Sequence, residues 1–179
     1  FPGMFNGYIR RVFQHTYDAM LATPLDVHEI VTGEVLWLAA KSAVYGCAPV
    51  IVAMAFGLEP SAGMLAVPAI VFVTACGFGL FGMWMSTVVP SINSFDYVIT
   101  GVVTPLFLVA GTFFPIETLP PWVHVAAQVN PLLHCVELVR HAVFGFRLGS
   151  DLGHAGALLL FAALMWLLAV RGMRRCLID

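Results

Sequence analysis

Charge is the scarcest property of this chain. Only 10% of its 179 residues are Asp, Glu, Lys or Arg, while 60% are hydrophobic. A soluble domain carries about 25% charged residues. A water-solvated fold of this length could not hide so much apolar surface, so lipid must be the solvent. Lysine is nearly missing: Lys41 stands alone, and there is no basic run beyond Arg171 to Arg175. With a net charge of −2, nothing suggests a nucleic-acid partner. The cysteines, at 47, 76, 135 and 176, form no C-x-x-C pair. Cys47 and Cys76 lie in apolar runs and Cys176 in a basic tail, which is neither a disulfide nor a zinc framework. No glycine-rich loop precedes Lys41-Ser42, so there is no Walker motif, and there is no G-x-S-x-G. No signal peptide precedes the body and the first residue is Phe1, so the expectation is a chain that lacks its N-terminal part.

What the chain does have is long uncharged stretches, and their order predicts an all-α, polytopic membrane protein. Phe1 to Ile9 reads as the tail of an apolar helix, and Arg10-Arg11 marks a water boundary. Val12 to Ala22 alternates polar and apolar residues at helical spacing, as an interfacial helix does. Thr23-Pro24 stops it, because proline disfavours helix in the residue before it. Asp26 with Glu29 resembles a capping box that opens a long helix. Within it, residues 35–56 form span one, long enough at 1.5 Å per residue to cross a core of about 30 Å. After the turn 57–61 come span two (62–89), the turn 90–96 and span three (97–114). Pro105 predicts a break in span three, with Thr100 and Thr104 available to the freed backbone. Span four (152–170) ends at Arg171, Arg174 and Arg175.

Residues 115–151 are too long for a turn and too apolar for a soluble loop. Pro120-Pro121 would open a short helix, Asn130-Pro131 would break it, and Leu132 to Phe144 would form a second that Gly145 closes. Two such helices suggest a re-entrant pair. Four spans put both ends of the chain on one side, with Arg10, Arg11, Lys41, Arg171, Arg174 and Arg175, leaving Arg140 and Arg147 on the other. The positive-inside rule then places both ends in the cytoplasm and 115–151 outside.

Few motifs carry chemistry. Gly77 to Gly82 matches G-x-G-x-x-G but lies mid-span without a preceding strand, so it reads as helix packing, with Ala75/Gly79 and Gly82/Ser86 as small-residue pairs. His134, Glu137 and His141 share one helix face. Three readings stand: metal ligands, the polar face of an amphipathic helix, or, for Glu137 with Arg140, a path for a polar head group. A membrane-embedded transferase using the same three residues lacks a nucleophile–base pair. Phe113, Phe114 and Trp122 read as an interfacial aromatic belt or as a hydrophobic gate over an exit path. A secondary transporter would place ionisable groups at midspan, which spans one, two and four lack at their centres.

The order of elements, together with TYDAMLATPLDVHEIVTGEVLW (16–37) and GTFFPIETLPPWVHVAAQVNPLLHCVELVRHAVFG (111–145), resembles the ABC type-2 permease family, and within it the NodJ-like branch associated with lipo-oligosaccharide export. The resemblance covers nearly the whole chain and implies a single permease domain over 1–179, from six spans in the intact subunit. It implies a coupling-helix region at 12–25 that docks on a separate ABC ATP-binding subunit, with Tyr17, Asp18, Met20, Leu21, Thr23, Pro24 and Leu25 as contacts. It further implies a second copy of the permease, the bacterial inner membrane, and no enzyme activity or cofactor on this chain, with ATP and magnesium on the partner. Amphipathic cargo would leave past Phe113, Phe114, Pro115, Trp122, Glu137 and Arg140. Drug or polysaccharide export is the alternative cargo class.

Overall fold

The computed structural model describes residues 2–112 and 127–178. All the regular structure among them is helical, as lipid demands: a helix satisfies its own backbone polar groups. The elements are α1 (Pro2–Tyr8), a π-helical turn (Ile9–Phe13), α2 (Thr16–Leu21), α3 (Val27–Ala55), a 3₁₀ turn (Ala62–Ala66), α4 (Val67–Val88), a second 3₁₀ turn (Ile92–Ser94), α5 (Phe95–Val98), a second π turn (Ile99–Val103), α6 (Thr104–Leu108), α7 (Pro131–Phe144) and α8 (Leu148–Leu177). Among the described residues, three stretches are long and apolar enough to cross a membrane: Val27–Ala55, Ala62–Val88 and Gly149–Leu177.

The expected third span is described only over the shorter apolar stretch Ile92–Leu108. Pro105 has no N–H for the carbonyl one turn back. The π turn directly before it widens the helix there, and the Thr104 hydroxyl donates to the Ile99 carbonyl at 3.0 Å. The Ile99 carbonyl also takes the Thr104 N–H, so this bond does not serve the Gly101 carbonyl that Pro105 leaves open.

Local chemistry explains the helix ends. The Glu29 carboxylate accepts the Asp26 N–H at 2.9 Å, closing the expected capping box of α3. Asn130 caps α7, its side-chain oxygen accepting the Leu132 N–H at 3.0 Å. Gly145 ends α7 at φ 135°, a value closed to most L side chains, and donates to the His141 carbonyl.

Two expectations change. The amphipathic run 12–22 is not one helix: it breaks at Gln14–His15, where His15 takes left-handed φ 49° before α2 begins. Such a conformation costs a non-glycine residue roughly 1–2 kcal/mol. Lys41 does not belong to the basic end. It lies at the middle of α3, with its ammonium over the Tyr45 ring. The basic asymmetry therefore narrows from six against two to five against two, with Lys41 on neither side.

The helix α4 is central and packs against α1, α3, α7 and α8. Its small residues bring α1 close. A Cβ on Gly82 would sit 3.0 Å from the Met4 backbone nitrogen, and one on Gly3 would sit 3.0 Å from the Gly79 carbonyl oxygen. Gly7 meets Met83 and Ser86 in the same way. The partners of Gly79, Gly82 and Ser86 are thus Gly3 and Gly7 of α1, a G-x-x-x-G pair missed in the sequence. Gly82→Leu should force α1 off α4 and lower stability by about 1–3 kcal/mol, read as a loss of thermal stability in detergent; an unchanged melting profile would contradict this packing.

Candidate functional site

Two clusters of polar and aromatic residues stand out, at opposite ends of the bundle. At the first, α2 lies beside the start of α3 and the ends of α4 and α8. Tyr17 is 0% exposed and packs in one apolar cluster with Val27, Ile30, Val31, Met83, Ala169 and Met173; Met20 and Leu21 lean on the same cluster. Asp18, Thr23, Pro24 and Leu25 are exposed. Of the residues expected to touch a partner, Tyr17 therefore cannot do so: it anchors α2, and the free face is Asp18 with Thr23 to Leu25. A tight turn presents that face, with the Thr23 hydroxyl donating to the Met20 carbonyl at 2.6 Å and the Leu25 N–H to the Thr23 carbonyl at 2.8 Å.

Charges fasten this end. Arg10 pairs with Glu34 across the gap between the first π turn and α3. Arg11 donates to the Ser86 carbonyl at 2.6 Å, tying the same turn to the end of α4. Burial pushes the Tyr17 hydroxyl above its ordinary range; Glu34 pushes it further and Arg10 opposes. The Tyr17 ring thus stays neutral inside the core. The Arg10–Glu34 pair was not foreseen; its one signal was a lone glutamate just before a charge-poor run, downstream of an arginine pair.

At the other end, α7 lies along the start of α8. Asp151, nearly buried, accepts from the His141 ring nitrogen Nδ1 at 2.5 Å and from the Arg147 N–H at 2.7 Å. Glu137 accepts from Arg140 at 2.7 Å. His134 and His154 bring their Nδ1 atoms within 2.7 Å. Asn130 donates to the Leu106 carbonyl at 2.6 Å and so ties α7 to α6. Glu137, Arg140, His141, Arg147 and His154 line an open cleft of about 810 Å³. Glu137 and Arg140 thus come together as the sequence suggested, while Phe113, Phe114, Pro115 and Trp122 lie outside the described residues, as does the helix expected after Pro120-Pro121. Sequence reasoning missed Asp151 and His154. Their signal was an acid and a histidine three residues apart at the mouth of an apolar span.

The metal reading of His134, Glu137 and His141 gains nothing here. Among the described residues no group of three His, Cys, Asp or Glu is placed to hold an ion. The imidazoles of His134 and His141 instead bind His154 and Asp151.

No solved structure matches. The chain is 31% identical to nodulation protein J of Rhizobium leguminosarum bv. trifolii over 99% of its own length and 68% of that protein's. It is 28% identical to nodulation protein J of Rhizobium meliloti over 100% of its length and 68% of that protein's. Against the inner membrane transport permease YadH of Escherichia coli K12, identity is 23% over 87% of this chain and 61% of YadH. A model of the ABC-2 type transporter family matches residues 3–144, which take in α1 through the whole of α7. With that match joined to an all-helical, lipid-solvated bundle, the chain is a multi-pass membrane protein that belongs to the ABC-2 type transporter family.

Proposed function

We propose that this chain is the membrane-spanning permease of an ATP-driven exporter, worked by a separate ATP-binding subunit that docks on the α2 turn. One observation carries the reading. The α2 helix is bolted through Tyr17 to the point where α3, α4 and α8 meet, while Asp18 and Thr23 to Leu25 face outward. A push on that face moves three long helices as a body, the kind of rigid-body coupling by which small shifts become large ones. ATP and magnesium belong to the partner; this chain supplies the lever and the path.

The five basic residues at the α2 end, against two at the α7 end, favour the cytoplasmic side of the inner membrane for α2 and the outer side for α7. Two copies would pair to form the path. The resemblance to the NodJ-like branch, associated with lipo-oligosaccharide export, favours an amphipathic, lipid-linked oligosaccharide as cargo, with Glu137, Arg140, His141 and Arg147 of the cleft offering hydrogen bonds to its polar head.

The test is co-purification of the full-length protein with its ATP-binding subunit, followed by replacement of residues 22–25 with a Gly-Ser linker. Transport-coupled ATP hydrolysis should fall to the uncoupled level while the protein stays in the membrane. Unchanged coupling in the linker variant would refute the docking site.

A further inference from the structure

The contact between His134 and His154 fixes its own protons. His134 Nε2 lies 2.9 Å from the Gln128 carbonyl oxygen. A carbonyl only accepts, so Nε2 carries hydrogen. A neutral His134 then has its lone pair on Nδ1, and the hydrogen between the rings belongs to His154 Nδ1. One added proton is tolerated: placed on His154 Nε2, it leaves the Nδ1–H donor in place and strengthens it. A second proton can go only to His134 Nδ1. Two N–H groups then meet head-on at a spacing of 2.7 Å, with two imidazolium rings whose centres are 5.0 Å apart.

We propose that the His134–His154 contact is an acid-sensitive latch, which holds the front of α7 on α8 while one ring can accept and lets it swing away once both rings are charged.

The surrounding groups decide which end of α7 moves. Glu137, Arg140 and His141 on α7, and Asp151 on α8, are the charged or titratable neighbours, with Arg147 on the cleft wall and Cys135 on α7. Glu137 is held by Arg140, and Asp151 by His141 and the Arg147 N–H. Both carboxylates lie close enough to attract charge on His154, but each is hydrogen-bonded elsewhere and neither stands between the two N–H groups that meet head-on. The central helix α4 and the turn Ala62–Ala66, which also pack on α7, carry no charged residue. At the back of α7 the sign reverses: a proton on His141 turns its contact with Asp151 into an ion pair and tightens it. Acid therefore loosens the front of α7 and fastens its back, so the helix pivots and the cleft opens at the His134 end.

The test uses the full-length protein in lipid nanodiscs, where both faces see the buffer and no sidedness is assumed. Cysteines 47, 76, 135 and 176 are replaced, and spin labels are placed at Val129 and Leu160, both exposed. A second labelled pair, Phe144 and Leu152, reports on the pivot. Imidazoles ordinarily titrate between about pH 5 and pH 8. Going from about pH 8 to about pH 5, the Val129–Leu160 distance should lengthen and broaden while the Phe144–Leu152 distance holds. His154→Asn keeps an N–H donor toward His134 and cannot take a charge, so its Val129–Leu160 distance should stay at the high-pH value throughout. His134→Gln gives the same comparison should the first variant fail to assemble. A wild-type distance that ignores pH, or variants that follow the wild-type shift, would overturn the latch. Neither result bears on whether the α2 turn docks an ATP-binding subunit.

Discussion

If an ATP-binding subunit docks on the α2 turn as proposed, Tyr17→Ala should abolish most of the coupling, although Tyr17 is buried away from that face. The side chain is wholly enclosed by α3, α4 and α8 residues. Truncating a buried aromatic to alanine costs about 3–5 kcal/mol. The loss falls on the one large anchor of a six-residue helix, which cannot hold itself together in isolation. The α2 helix should therefore undock while α3, α4 and α8 remain a bundle. Tyr17→Phe separates anchoring from hydrogen bonding. The ring stays, and the buried hydroxyl goes; among the described residues it has no hydrogen-bond partner of good geometry, although Glu34 lies near enough to interact with it. Coupling and stability should be retained or slightly improved. The pH sign agrees. Because burial raises the Tyr17 ionisation above its ordinary value of about 10, docking is at full strength below that pH and weakens as alkali ionises the undocked tyrosine. ATP hydrolysis with and without permease, measured for both variants, checks this. Coupling lost equally in Tyr17→Phe would place the cause in the hydroxyl instead.

Gly63→Ala should be the most damaging single methyl in the chain. A Cβ there would stand 2.1 Å from the Ala142 carbonyl oxygen, deep inside contact distance. The obstacle is backbone, so no rotamer change relieves it. The same strand of contact is pinned by the Ser61 hydroxyl, which donates to the Val143 carbonyl at 3.2 Å. The added methyl must push the back of α7 off the 3₁₀ turn before α4, and the His141–Asp151 contact goes with it. The expected cost is at or above the upper end of the usual ~1–3 kcal/mol for overpacking, several degrees of melting temperature for a protein of this size. Gly33→Ala is the contrast. Nothing lies within 4 Å of its Cβ position, and it sits inside α3. There the methyl should stabilise by about 0.5–1 kcal/mol. Equal melting temperatures for the two variants would contradict the close approach of α7.

Much of the scaffold was legible in the residues because membranes leave the backbone few choices. Uncharged runs of about 20 residues must be helices, and the punctuation that ends them is local chemistry: Asp26 with Glu29, Asn130 before Pro131, Gly145 after Phe144, and Pro105. What escaped depends on residues far apart in sequence. Periodicity cannot say that Arg10 meets Glu34, or that Gly3 and Gly7 lie on Gly79, Gly82 and Ser86. In α3 it cannot even choose a face, since the helix is apolar on nearly every side. The same limit explains the histidines. Placing His134, Glu137 and His141 on one helix face was sound, but the groups that decide their chemistry, Asp151 and His154, come from the next helix. Tyr17 shows the opposite error: an aromatic on a short surface helix read as a contact residue, when burial makes it the anchor.

The most direct measurement of the account is the sidedness of the α2 turn. With a single cysteine at Thr23 in an otherwise cysteine-free full-length protein, a membrane-impermeant maleimide should label inverted inner-membrane vesicles and leave intact spheroplasts unlabelled, and binding of the ATP-binding subunit should protect the site. Labelling from the outside of intact spheroplasts would put the lever on the wrong side of the membrane and contradict the mechanism.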